Sequence, residues 1–274
     1  MPARPLWAIL AALVMTVSAL PAAAQTSEAV DRTALRVCAD PANLPFSNQA
    51  GEGFENKIAE LVAADLGVPV EYTWFPQATG FIRNTLQARR CDVVIGISLG
   101  FELLQNTNPY YRSAYVMMMR ADGGPEVASL NDSALKSARI GLIAGTPPAT
   151  MVALNGLMPQ VQPYHLLADT RFDHPGRQLV EDLVAGKIDV GLLWGPIAGY
   201  YAKQQEVELK IVPLLTDNGP VRMDYRITMG LRFNEPDWKR RLNDIIKRRK
   251  DDIDAILNDY GVPLLDAQGK LIAP

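Results

Sequence analysis

"LRVCADPANLPFSNQAGEGFENKIAELVAADLG", residues 35–67, decides the fold class. The apolar run Leu35–Cys38 reads as a strand that ends at Asp40-Pro41, because proline cannot donate to a ladder. A loop rich in Asn, Pro, Ser and Gly follows. A helix is then expected from Phe54, with Phe54, Ile58, Leu61 and Val62 on one face and Gly67 as its stop. The loop carries two aromatics and two carboxylates, more chemistry than a connector needs.

Working outward, strand and helix alternate. "VPVEYTWF" reads as a strand, "TGFIRNTLQARR" as a helix with Thr79 at its N-cap, and "DVVIGI" as a buried parallel strand. The plan then repeats. "ARIGLIAG" is a strand, "TPPATMVALNG" a helix capped by Thr146 with Pro147 at its first position, "HPGRQLVEDLVAG" a helix, and "KIDVGLLW" a strand. Alternating elements of this kind imply an α/β fold. "LQARRCDVVIGIS" and "LVAGKIDVGLLWG" echo each other, with Asp92 and Asp189 in matching places.

Two extended runs, residues 114–120 and "VRMDYRITMGLR", separate these halves. The terminal helical stretch "EPDWKRRLNDIIKRRKDDIDAILNDYG" is expected to return to the first half. The organisation is therefore two α/β lobes joined by two hinge crossovers, with a cleft between them. Lobe 1 takes residues 33–115 plus 230–274 and lobe 2 residues 120–225.

The chain has 274 residues, 48% hydrophobic and 21% charged, with net charge −3. That suits a globular protein and gives no basic surface for nucleic acid. The basic run Lys239–Lys250 alternates with Leu242, Ile245 and Ile246, as on a solvated helix face. Arg4, the apolar run Leu6–Leu20 and "AAA" at Ala22–Ala24 before Gln25 form a signal peptide over residues 1–24. The run is short for a membrane span. A periplasmic protein with no later span is expected.

Export allows Cys38 and Cys91 to form a disulfide. Aligned by their apolar runs, however, Cys91 falls at a strand start and Cys38 near a strand end. At ~3.3 Å per residue the gap could exceed the ~7 Å Cα limit for a bridge. The alternative is two buried thiols.

No metal-ligand spacing surrounds His165 or His174, and neither a G-x-S-x-G elbow nor a nucleotide loop occurs. Asp40 and Glu55 could act as an acid/base pair, but the absence of the other parts favours ligand contact or loop hydrogen bonds. No catalytic residue, metal or cofactor is assigned, and an enzyme is not expected. "AGTPPAT" places Gly145 and Thr146 at a helix N-terminus, where either an anion or carboxylate sits or the helix is simply capped, the two readings having equal weight. Trp74, Phe75, Phe81 and Trp194 lie at strand ends or loop starts, which rim the cleft in open α/β sheets. Each taken singly could equally belong to a lobe core, but with Phe46 and Phe54 they suggest an aromatic cleft wall. Lys203 is expected on the outer face of its helix.

The strand, Pro-Phe loop and Gly-Phe helix start of residues 35–67 resemble the opening of type 2 periplasmic solute-binding proteins. "CDVVIG" and "NPYYRSAYV" resemble that family's third strand and hinge. "CADPANLPFSN", "WFPQATGFIRNTL", "GTPPAT", "WGPIAGYYA" and "DYGVPLL" resemble its branch associated with quinoprotein methanol dehydrogenases, MoxJ and XoxJ, and XoxJ more.

The resemblance implies a periplasmic accessory protein. Its partner would be a methanol dehydrogenase that uses pyrroloquinoline quinone (PQQ) and is of the lanthanide type, with the enzyme's cytochrome c as a further candidate. The protein would help activate or mature that enzyme. The alternative is a solute receptor of an ABC transporter.

One departure bears on that choice. Amino-acid-binding members carry Ser/Thr-x-Thr-x-x-Arg after the third strand, the Arg clamping the ligand's carboxylate. Here "GISLGFELLQNTNPYY" puts Leu103 or a neighbour in its place. The candidate cleft residues are Asp40, Asn43, Phe46, Phe54, Glu55, Trp74, Phe81, Ser98, Gly145, Thr146 and Trp194. The cleft is expected to receive a partner segment or an apolar ligand rather than a reacting substrate.

Overall fold

A computed structural model of the chain describes residues 32–272, except 167–168 and 216–218. The signal segment expected over residues 1–24 lies outside the described residues. Among the described residues no helix is long and apolar enough to cross a membrane.

The first lobe opens with β1 (Leu35–Ala39). The loop after it folds into a small hairpin, β2 (Ala42–Asn43) with β3 (Ser47–Asn48), and leads into α1 (Phe54–Leu66). Gly67 ends α1 at φ 71°, a left-handed turn that only glycine adopts without cost. β4 (Val70–Trp74), α2 (Phe81–Asn84) and β5 (Val93–Ser98) complete the unit, and β6 (Gln105–Asn106) precedes the long strand β7 (Tyr111–Arg120).

The second lobe adds β8 (Ile140–Ile143), α3 (Pro147–Leu154), β9 (Val161–Tyr164), α4 (Pro175–Val184), β10 (Val190–Trp194), α5 (Gly195–Ala202) and β11 (Leu209–Pro213). β12 (Asp224–Leu231) crosses back to α6 (Pro236–Arg248) and α7 (Lys250–Asp259).

The strands run in the order β4-β1-β5-β12-β7-β10-β8-β9, with β11 on β7 and β6 on β12. β1 pairs in parallel with β4 and β5, as β8 does with β9 and β10. The two long strands join these parallel blocks. β7 pairs with β12 over 111–114, then with β10 over 115–118 and with β11 up to Arg120.

Side chains alternate between faces, as the period of two requires. Val37, Val93 and Ile95 face the core shared with α1, α6 and α7, where Trp238, Leu242, Ile253 and Leu257 are buried. Cys38, Val94, Phe81 and Leu86 fill the opposite face. In the second lobe Met117, Ile140 and Leu192 face one core and Met118, Ile143 and Leu193 the other. Each large side chain so buried contributes about 1.5–3 kcal/mol relative to exposure.

Two sequence expectations need correction here. α2 is far shorter than the helix expected from Thr79, and its N-cap is Gly80. Thr85 turns its hydroxyl onto the Phe81 carbonyl at 2.6 Å, and Arg89 enters the left-handed region, so the chain leaves the helix as turns. The register argument against the disulfide also fails. Cys38 and Cys91 are bonded, with Cα atoms 5.4 Å apart. Cys91 precedes β5 rather than belonging to it, so strand rise does not set its distance from Cys38.

The echo between Asp92 and Asp189 has a structural meaning. Asp92 donates its backbone N–H to the Arg36 carbonyl (2.7 Å), and its carboxylate takes Arg36 Nε and Nη2 at 2.7 and 2.8 Å. Asp189 repeats this with Arg139, at 2.8 Å for the backbone and 3.0 and 2.5 Å for the guanidinium. In both lobes the same fork ties the start of one parallel strand to its neighbour.

Candidate functional site

β5 would run straight past the lobe junction but for Gly96. Its φ of 84° breaks the alternation, and the pairing of β12 with β5 slips between Thr228 and Gly230. Bulges of this kind re-aim a strand end beside a site. Here the shift brings Ser98 to a cavity of about 360 Å³ lined from both lobes. A Cβ on Gly96 would fall 1.8 Å from Glu55 Oε1, so the missing side chain is the space the carboxyl occupies.

Glu55, in the first turn of α1, lies on the floor of this cavity and is 8% exposed. Among the described residues no hydrogen bond or ion pair reaches its carboxyl. Burial, with the nearby Asp40 carboxylate adding to it, pushes its pKa well above the usual range. The walls are aromatic. Trp194, at the end of β10, stands opposite Tyr115 of β7, with ring centroids 5.2 Å apart, and 6.0 Å from Tyr225 of β12. Phe46 and Tyr111 also line the cavity, and Pro147 and Leu166 contribute from the second lobe. Burial and then Tyr225 push the Tyr115 phenol up to about 12.

The raised Glu55 pKa carries a prediction. A carboxyl whose folded pKa is raised contributes stability fully present below its unfolded pKa, near 4.5, and lost as pH rises toward the folded value. Glu55→Gln keeps the shape and removes the ionisable proton. It should unfold later in urea than the parent at pH 7–8, with the gap closing toward pH 4. A gap that widened on acidification would contradict the assignment.

Buried Asp40 holds Gln77, which lines the cavity, and ties the two lobes together. Its carboxylate accepts from the backbone N–H of Ala42 (2.9 Å) and of Gln77 (2.5 Å), and from the Thr170 hydroxyl of the other lobe (2.7 Å). That is hydrogen bonding of the kind expected for the loop, extended across the cleft. Asn43 donates to Gln77 Oε1 at 3.2 Å. Tyr201 adds a second bridge between the lobes, donating to the Leu44 carbonyl at 3.3 Å.

Of the residues the sequence singled out, Phe46, Glu55, Ser98 and Trp194 converge on the cavity, while Asp40 and Asn43 do not line it but hold Gln77, which does. Three aromatics lie elsewhere. Phe54 is 0% exposed and packs edge-on against Phe46, Tyr111 and Tyr260 within the first core. Trp74 stacks on Tyr72 at 4.5 Å, on the terminal strand of the sheet. Phe81 belongs to the core around the disulfide.

Gly145 and Thr146 immediately precede the cavity-lining Pro147, and of the two readings of this helix start the anion site does not form. The Thr146 hydroxyl donates to the Ile143 carbonyl at 2.6 Å. Pro147 and Pro148 have no N–H, and the Ala149 N–H bonds back to Thr146. The helix end therefore offers an anion almost no donors. Lys203 is exposed, as expected, and its ammonium donates to the carbonyls of Asn258 and Asp259 at the end of α7.

Sequence reasoning missed Tyr111, Tyr115 and Tyr225. The signal was present, because Tyr111 and Tyr115 are an even number apart on one crossover strand and so share a face. Leu103, where the family's clamp is expected, is exposed beside Phe101 over a separate apolar hollow. No arginine, lysine or histidine lines the Glu55 cavity among the described residues, although His165, His174 and Arg177 line an adjoining hollow that shares Phe46, Gln77, Leu166 and Ile197 with it. Nor do these residues contain a group of three or more His, Cys, Asp or Glu side chains able to hold a metal.

The family model for bacterial extracellular solute-binding proteins, family 3, matches residues 35–263. The chain is 30% identical to protein MoxJ of Methylorubrum extorquens over 269 residues, covering 89% of each chain, and 26% identical to MoxJ of Paracoccus denitrificans, covering 86% of this chain and 90% of that one. The crystal structure of the periplasmic binding protein XoxJ from Methylobacterium extorquens AM1 superposes with a TM-score of 0.72 at 43% identity, over 85% of this chain and 99% of that one. The likeness extends over most of the chain: the chain belongs to family 3 of the bacterial extracellular solute-binding proteins, with the type 2 periplasmic-binding-protein fold and a likeness to the XoxJ/MoxJ branch.

Proposed function

We propose that this protein is a periplasmic accessory factor, without catalysis of its own, that binds a PQQ-dependent methanol dehydrogenase of the lanthanide type and promotes its active form. The observation that carries this reading is a solute-binding architecture whose cavity lacks the cation an amino-acid receptor uses. The likeness to MoxJ and XoxJ supplies the partner's identity. PQQ itself, rich in carboxylates, would meet Glu55 and no compensating cation, so the enzyme and not its cofactor is the proposed ligand. The dehydrogenase's cytochrome c is a second candidate partner. Holding an immature conformer in preference to the mature enzyme would shift the partner's population, which is sufficient for an accessory role.

Lobe limits of 33–115 plus 230–274 and 120–225 are part of this proposal, because opening about β7 and β12 would expose the cleft. Hydrogen exchange is expected to resolve two separately opening blocks; one cooperative block would remove the division.

Membership of a solute-binding family favours one competing reading, a receptor for an ABC transporter. Deleting the gene separates the two. The accessory reading expects dehydrogenase activity and PQQ occupancy to fall several-fold in the deletion strain. With purified proteins, Trp194→Ala should weaken dehydrogenase binding about ten-fold, as for loss of an aromatic anchor. Lys247→Ala, on the exposed side of α6, should leave it unchanged. Normal dehydrogenase activity in the deletion strain, together with tight binding of a free amino acid or sugar, would establish the receptor instead.

A further inference from the structure

We infer that the cavity between the lobes is a receptor for an alkylammonium group that brings no carboxylate of its own, with Glu55 as its counter-ion and the rings of Trp194, Tyr115 and Tyr225 as its cage. This deepens the reading of the chain as a binding protein and rests on it.

Four observations carry the inference. First, Glu55 is more than nine-tenths buried and lines the cavity, yet no donor among the described residues reaches its carboxyl. Buried carboxylates are otherwise paired or hydrogen-bonded, as Asp92 is by three arginines. Packing shapes this position, because Gly96 leaves the carboxyl the room a side chain would take.

Second, the three rings meet at 60–79° between planes, with centroids 5.2–6.2 Å apart. Such tilted walls present both faces and edges to the space they enclose, and ring faces attract cations. Third, the remaining polar groups can accept from an ammonium. They are the Ser98 hydroxyl, the Gln77 amide and the phenols of Tyr111 and Tyr115. Fourth, no cation lines the cavity. A ligand carboxylate would face Glu55, with Asp40 nearby, and find no partner, which selects against amino acids and other zwitterions.

The volume, about 360 Å³, suits a small amine or one side chain rather than a folded segment. The same chemistry has two sources, a free alkylamine or the lysine side chain of an extended partner segment.

The groups that act on Glu55 make the site pH-dependent in a stated direction. Asp40 from the end of β1, Tyr72 from β4, and Tyr110 with Tyr111 at the start of β7 surround it, and none supplies a positive charge. An ammonium brings its own, so binding ionises Glu55 and releases its proton. Affinity therefore rises with pH until the amine itself deprotonates.

Calorimetric titration of the mature full chain tests this with four probes: n-butylammonium, 1-butanol, γ-aminobutyrate, and lysine blocked at both its amino and carboxyl ends. Butylammonium is expected to bind at least ten-fold more tightly than butanol and than aminobutyrate, and more tightly at pH 8 than at pH 5.5. Glu55→Gln, confirmed folded by its thermal transition, should lose at least ten-fold. Blocked lysine binding more tightly than butylammonium would identify a partner's side chain as the source, and the reverse a free amine; either supports the site. Butanol or aminobutyrate binding as well as butylammonium, a Glu55→Gln variant that binds unchanged, or flat isotherms with every probe would overturn it. Saturable amine binding with normal dehydrogenase in the deletion strain would remove the accessory role and leave the amine site. Flat isotherms with a defective dehydrogenase would do the opposite.

Discussion

Replacing Asp92 with alanine should destabilise the protein by about 3–5 kcal/mol, the usual cost of removing one partner from a buried ion network. Asp92 is 2% exposed in its side chain and takes Arg36 at 2.7 and 2.8 Å and Arg232 Nη2 at 2.5 Å. Arg32 Nη1 lies 2.9 Å away without hydrogen-bond alignment, so it contributes charge rather than a directed bond. Alanine would leave Arg32 and Arg232, both nearly buried, with only Glu235 as counter-charge.

The pH dependence is fixed by the sign of the Asp92 shift. Burial alone would raise its pKa, but the guanidinium groups of Arg36, Arg232 and Arg32 outweigh that and hold it below 3.8. The contribution is therefore present above pH 3.8 and lost as pH falls through the lower folded value. Urea titrations at pH 7 should show the full loss for Asp92→Ala and a smaller one for Asp92→Asn, which keeps one acceptor. A loss below 1 kcal/mol at pH 7 would mean that the arginines find other partners.

The second large effect is expected from the disulfide. Cys38 and Cys91 are 53 residues apart in sequence and both buried. In the chain-entropy treatment a loop of that length is worth about 4 kcal/mol. At ~2–4 °C per kcal/mol for a chain of this size, the double alanine variant should melt about 10 °C lower. Alanine keeps the positions apolar, so the loss reports the cross-link more than the packing. Denatured, unreduced parent protein should titrate with no free thiol. Two free thiols, or an unchanged melting temperature, would refute the assignment.

Much of this molecule was legible because local rules and the tertiary fold agree. The parallel strands read correctly since each is a short apolar run closed by Gly, Pro or Asp. The Asp92 and Asp189 echo could be seen as text because it encodes one physical device used twice. The crossover strands were visible as extended runs, and so was the pair of prolines at the start of α3. Their missing N–H groups argue against an anion there and for an ordinary helix start.

The site itself was only half legible. Aromatics at strand ends were the right kind of residue, but strand ends have two faces. Which face meets the cleft depends on sheet order and on the Gly96 kink, and neither is a local property. Phe54 therefore went into the core and Trp74 onto a terminal strand, while Tyr115 and Tyr225 reached the cavity from strands read only as hinges. The sequence by itself determined the α/β alternation, the two crossovers, the loop chemistry of Asp40 and the absence of a carboxylate clamp at Leu103, since each is written within a few consecutive residues. Only the tertiary structure decided that Cys91 reaches Cys38, that Lys203 binds the end of α7, and that Glu55 lies buried without a donor, because each depends on where segments distant along the chain come to pack.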